Sequence, residues 1–126
     1  MGDEKPISGT IAWHDLTVPD ADGLRSFYSA VAGWTFRGHD MGEYEDYGVL
    51  AANGECVAGL CHARGSNAGI PPAWLMYIHV DDVEKAAKQC VEHGGTVLDG
   101  PRRMHCQMFC LFRDPAGAVA ALIGPD

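Results

Sequence analysis

The sequence predicts an α+β protein made of two βαβββ units, whose strands form a curved mixed sheet with the helices outside. Three observations carry the prediction. The second half re-reads the first with a shift of 62 residues, so that Leu16-Thr17-Val18-Pro19-Asp20 lies on Ile78-His79-Val80-Asp81-Asp82 and Gly33 on Gly95. The same shift returns at the far end of each half, where Cys56-Val57-Ala58-Gly59-Leu60 lies on Ala118-Val119-Ala120-Ala121-Leu122. One offset serving both ends means two copies of one supersecondary unit, too few for a solenoid and therefore paired around one core. Third, within each copy the apolar spacing changes from the strand period to the helix period and back.

The elements follow in order. A first strand is expected from Thr10 to Val18. Asp20 stands where a side-chain oxygen caps the helix after it, and Leu24, Phe27, Tyr28 and Val31 give that helix one apolar face. Gly33 is its natural stop. Strands are expected at about Thr35 to Gly38, Tyr44 to Ala51 and Cys56 to His62, with Asn53-Gly54 as a hairpin turn. Arg64 to Pro72, rich in Gly, Asn and Pro, reads as the linker. The second copy opens with a strand from Ala73 to Val80, and Asp82 caps a helix whose apolar face is Val83, Ala86, Ala87, Cys90 and Val91. Gly94-Gly95 ends that helix, with His93 favourably placed against its dipole. Strands at Thr96 to Leu98, Gln107 to Arg113 and Ala118 to Ile123 follow, the last two joined by the turn Asp114-Pro115-Ala116-Gly117. The chain thus reads as a single domain, 1–126, with copies at about 10–63 and 73–124 and linker 64–72.

Composition narrows the function. A hydrophobic share of 47% with 21% charged residues is that of a globular domain with a real core. The net charge of −8 lacks the basic patch that nucleic acid or an anionic membrane would need as partner. No apolar run is long enough to span a bilayer, and the start, Met1-Gly2-Asp3-Glu4-Lys5-Pro6, has no signal-peptide core. Five cysteines, odd in number and without a disulfide spacing, read as free thiols in a reducing cytoplasm.

Trp13-His14-Asp15-Leu16, Phe27-Tyr28, Gly33-Trp34, His93-Gly94-Gly95 and Asp114-Pro115-Ala116-Gly117-Ala118, in that order and within a tandem βαβββ frame, resemble the glyoxalase / bleomycin-resistance / extradiol-dioxygenase superfamily, the vicinal oxygen chelate fold. The resemblance spans about Thr10 to Ile123. It implies that metal-dependent members take two His or Glu ligands from each copy: one on the first strand, five residues before its terminal valine, and one on the last strand. Here those positions are Trp13 and Leu75, then Gly59 and Ala121. None of the four side chains can ligate a hard divalent cation, so no metal and no other cofactor is expected. His14 adjoins Trp13, but strand alternation turns it to the opposite face.

Carrying the same parity outward gives the expected cavity wall: Trp13, Asp15 and Thr17; Gly59 and Cys61, with Val57 beside them; Leu75, Tyr77 and His79; and Ala121 between Val119 and Ile123. This is a mostly apolar surface with a few polar groups, the usual character of a small-molecule site. Trp13 offers a face for stacking, while Asp15, Tyr77 and His79 are the weak catalytic candidates that could orient a ligand or move a proton. A soft-metal cluster from His62, His79, His105, Cys61, Cys106 and Cys110 lacks any C-x-x-C pair, and Arg102-Arg103 reads as a solvated loop. The expected function is a metal-free protein that binds a small, partly apolar compound. The alternative is a divergent lyase, isomerase or dioxygenase-like enzyme of the same superfamily, or an interaction module with a vestigial cavity. A homodimer is expected, because an open sheet leaves edges and apolar surface to cover.

Overall fold

The computed structural model describes residues 6–126; the reading of the chain's first five residues lies outside them. The element order is β1 (Ile11–Val18), α1 (Ala21–Ala32), β2 (Thr35–Asp40), β3 (Glu45–Leu50), β4 (Cys56–His62), then β5 (Leu75–His79), α2 (Val83–Glu92), β6 (Thr96–Met104), β7 (Gln107–Arg113) and β8 (Val119–Pro125). This is the mixed α+β class and the doubled βαβββ order that the sequence predicts. One short 3-10 turn, Gly65–Asn67, lies in the segment read as the linker. No helix among the described residues is long and apolar enough to cross a membrane. The chain forms two compact units, His14–Trp74 and Leu75–Asp126, the second of which also takes residues 6–13.

In the His14–Trp74 unit the strands run β2-β3-β4-β1, antiparallel except for the parallel pair β1/β4. Leu16, Tyr47, Val49, Ala58 and Leu60 share one face and pack with Ala21 of α1. The Asp20 carboxylate accepts from the Gly23 N–H at 3.0 Å, as an N-cap should, and Gly33 ends the helix in the left-handed region at φ 71°. The buried face of α1 is narrower than its spacing implied. Ala21, Leu24 and Tyr28 face the sheet, but Phe27 is 54% and Val31 66% exposed. Tyr28, Trp34 and Trp74 fill the space beside that face, and the Trp74 indole N–H donates to the Tyr28 hydroxyl at 3.0 Å.

The Leu75–Asp126 unit repeats the plan in the order β5-β8-β7-β6, with β5/β8 parallel. Val83 and Ala87 of α2 pack on Cys110 and Leu122, with Ile78, Val80, Ala86, Val97, Met108 and Phe112 around them. Val91, expected on this face, is 60% exposed. The Asp82 carboxylate accepts from the Lys85 N–H at 3.0 Å. The largest departure from expectation is β6. It runs on to Met104 rather than ending near Leu98, pairing Arg102 with Phe109 and Arg103 with Met108 after an irregularity that contains the cis peptide Gly100–Pro101. Glycine and proline punctuate a sequence as a loop, but partner β7 still offers its ladder beyond them, and the strand resumes.

Candidate functional site

In the His14–Trp74 unit the face away from α1 carries four of the predicted wall residues. Asp15 pairs with Gly59 across β1/β4 and Thr17 with Cys61, so the four lie together as the parity argument required. Gly48 of β3 pairs with Gly59 from the other side, leaving a bare patch in mid-sheet. Thr17 is buried, while Asp15 and Cys61 are half-buried, with Cys61 Sγ 4.0 Å from Asp15 Oδ2. Burial, and then the neighbouring Asp15 and Asp46 carboxylates, push the Cys61 thiol far above its ordinary range. A thiol held protonated in this way is a weak nucleophile. Trp13 is half-buried on the same strand at the same parity, and His14, at the opposite parity, is exposed.

Around His62 lies a polar cluster that sequence reasoning did not assemble. His62 is buried, and its Nδ1 sits 3.4 Å from Asp46 Oδ1 without meeting hydrogen-bond geometry. The Asp46 carboxylate accepts from the His62 main-chain N–H at 2.8 Å. The Tyr47 hydroxyl donates to Asp22, and the Arg25 guanidinium lies 4.4 Å over the Tyr47 ring. That hydrogen bond, with burial, holds the Tyr47 phenol above its ordinary value.

In the Leu75–Asp126 unit, Tyr77 pairs with Ala121 and His79 with Ile123, again with the predicted residues on the face opposite the helix. Here the wall is closed. Leu75, Tyr77, Phe109, Leu111 and Ala121 are all buried, the Tyr77 and Phe109 rings lie 5.9 Å apart, and the Arg102 guanidinium covers Phe109 at 4.9 Å. Arg102 is no solvated loop residue. Asp99 holds it with hydrogen bonds of 3.0–3.1 Å to Nε and Nη2, which aims its flat face at the ring. Arg103 does reach solvent and pairs with Asp126.

His79 is buried, yet it is the predicted residue of this unit that lines a cavity. Its main chain is pinned on both sides, Gly9 N–H to His79 O at 2.7 Å and His79 N–H to Thr10 O at 2.8 Å. Its imidazole borders a cavity of about 460 Å³ lined by Pro6, His79, Asp81, Gln107 and Pro125. His79 Nε2 lies 4.0 Å from Asp81 Oδ1. Gln107 was missed in the sequence, although its parity on β7 matches that of Phe109 and would have placed it on this face.

The remaining sulfur and imidazole groups do not converge. Cys106 falls in the turn before β7 and is exposed, whereas Cys110 is buried against α2, so the two thiols do not meet. His105 occupies that turn with φ 58°. Among the described residues no three His, Cys, Asp or Glu side chains form a group able to hold a metal ion. The four positions where the fold's metal-dependent members place ligands hold an indole, a bare Cα, an isobutyl and a methyl, with Leu75 and Ala121 fully enclosed. That donor set does not fit a divalent cation.

Two βαβββ copies, with two helices and eight strands, define a mixed α+β class of protein. The chain belongs to the Glyoxalase/Bleomycin resistance protein/Dioxygenase superfamily, whose family model matches residues 10–122. It is 30% identical over 119 residues to CFP32 of Mycobacterium bovis, named as a candidate glyoxylase, covering 94% of this chain and 45% of the relative. It is 27% identical to the anthracycline biosynthesis protein DnrV of Streptomyces peucetius, covering 90% of this chain and 46% of the relative. The chain therefore spans about half the length of these curated relatives. Among solved structures, methylmalonyl-CoA epimerase of Mycobacterium tuberculosis superposes with a TM-score of 0.57 at 14% identity, covering 98% of this chain and 94% of that one. The Streptomyces coelicolor epimerase in complex with 2-nitronate-propionyl-CoA gives 0.54 at 17%, covering 95% and 99%. At such identities the likeness is one of fold.

Proposed function

We propose that this chain is a metal-free small-molecule-binding protein of the glyoxalase/bleomycin-resistance type. The observation that carries the reading is the donor set: Trp13, Gly59, Leu75 and Ala121 stand where the metal-dependent members need His or Glu. The strand faces are kept while the ligands are gone, as a scaffold reused for binding would be. The proposed ligand is a small, partly apolar compound that stacks on Trp13, contacts the strand face of Asp15, Thr17, Gly59 and Cys61, and is oriented by Asp15. The cavity beside His79, with Gln107 and Asp81 as further polar groups, is a second candidate place for such a compound. A homodimer working in the cytoplasm completes the proposal.

The test is a thermal-shift screen of small molecules, together with mass spectrometry of compounds released from the purified protein. Trp13→Ala should weaken an authentic ligand about tenfold, and Asp15→Asn should lower affinity for ligands bearing hydroxyl or amine groups. Unchanged affinity in both variants places binding elsewhere. Near-stoichiometric nickel, zinc, iron or manganese in untagged protein would overturn the metal-free reading, and a clean ~13.5 kDa particle by light scattering would overturn the dimer.

A second reading, a divergent lyase or isomerase, draws on His79 and Asp81 together at the cavity. An imidazole beside a carboxylate is equipped to shuttle a proton at a carbon acid. Proton exchange from a bound α-substituted carbonyl compound, lost in His79→Gln, would favour it over binding alone.

A further inference from the structure

On the face of the His14–Trp74 unit turned from α1, a thiol and an imidazole lean over the same glycine, Gly48. Gly48 lies in the middle strand, with Arg37 of β2 opposite it on one side and Gly59 of β4 on the other. His39 reaches it from β2 and Cys56 from the start of β4. A methyl group placed on Gly48 would lie 3.1 Å from Cys56 Sγ and 3.4 Å from His39 Nε2. The bare glycine is what lets the two side chains converge, and both residues are exposed to solvent. This contrasts with Cys61 and Cys110, whose thiols are held protonated by burial.

We propose that Cys56 is a reactive thiol with His39 as its general base, a site for covalent capture of α,β-unsaturated carbonyl compounds. At rest the thiol donates weakly to the Ala58 carbonyl at 3.7 Å. On reaction the thiol turns from the Ala58 carbonyl toward His39, and the S–H proton passes to His39 Nε2 while a sulfur electron pair forms the S–C bond to the β-carbon of the electrophile. The C=C π pair moves to the carbonyl oxygen as an enolate, and the imidazolium returns its proton to the α-carbon. The sum is addition of S–H across C=C, with no oxidant or reductant required. A soft, exposed sulfur beside a proton acceptor suits this class of electrophile.

The test uses N-ethylmaleimide, itself an α,β-unsaturated carbonyl compound, at substoichiometric dose, with peptide mass spectrometry following each cysteine in the intact chain. Cys106 is exposed without this arrangement and serves as the internal reference. Cys56 should label about tenfold or more faster than Cys106, within the usual range of general-base assistance. His39→Gln should remove most of that advantage and leave Cys106 unchanged. Gly48→Ala keeps both groups but wedges a methyl between them, and should also slow Cys56 selectively. Equal rates at Cys56 and Cys106 in the parent, or a Cys56 rate indifferent to His39→Gln, would overturn the proposal. A loss in Gly48→Ala accompanied by faster labelling of buried Cys110 would be unfolding; His39→Gln, a change at an exposed residue, then decides alone.

Discussion

Replacing Phe109 by alanine asks whether the strand face of the Leu75–Asp126 unit is packed or open. Phe109 is the largest of the fully buried side chains, at 0% exposure, with Tyr77 5.9 Å away and the Arg102 guanidinium 4.9 Å over its ring. Truncating such a ring removes its transfer free energy and leaves a cavity that rigid strand neighbours cannot collapse into, a loss of about 3–5 kcal/mol. The aromatic and cation–π contacts, about 1 kcal/mol each, fall within that range rather than adding to it. Against a total stability of about 5–15 kcal/mol the variant still folds. In urea unfolding, a loss of about 4 kcal/mol at a slope of about 2 kcal/mol/M moves the midpoint by about 2 M. Phe109→Leu, which keeps most of the volume, should lose only about 1 kcal/mol. If Phe109→Ala loses less than about 1 kcal/mol at an unchanged slope, the ring faces water, and the closed wall described for this unit is wrong.

Gly124→Ala should be as damaging with far fewer atoms, because its new methyl would lie 2.3 Å from the Val80 carbonyl oxygen and must push β8 from the β5–α2 connection; a thermal midpoint within 2 °C of the parent, roughly the scatter of such scans, would contradict the register. Asp20→Ala and Asp82→Ala each remove a carboxylate accepting a 3.0 Å bond from a helix N–H and should each lose about 1 kcal/mol, adding in the double variant because the caps lie in separate units. Stability should also fall at alkaline pH. Burial pushes the Cys110 thiol from 9.0 to about 11, so above pH 9 the unfolded chain releases a proton that the folded one keeps. That stability is fully present below pH 9 and is lost as pH rises through about 11, with Tyr47 and Cys61, raised likewise, extending the loss upward. Cys110→Ala should flatten the first part of the decline in midpoint-versus-pH measurements.

The sequence alone determined the doubled βαβββ order, the helix caps at Asp20 and Asp82, and the strand faces that Asp15, Thr17, Gly59 and Cys61, or Tyr77 and Ala121, share. These are consequences of local chemistry: a carboxylate before a helix, a glycine after it, and an alternation that fixes one face once the other is apolar. It also determined that Trp13, Gly59, Leu75 and Ala121 offer no side-chain donor, since that follows from residue identity. Tertiary structure decided what periodicity leaves open. Phe27, Val31 and Val91 have helical spacing but are exposed, because how wide a helix stripe is buried depends on how it crosses the sheet. Arg102 became a lid on Phe109 because β6 resumes pairing beyond Gly100–Pro101, a result of the partner strand rather than of the local residues. Gln107 and Asp81 joined His79 at one cavity, and His39 met Cys56 over Gly48, because pairing register brings distant segments together, and nothing in a linear sequence states that register.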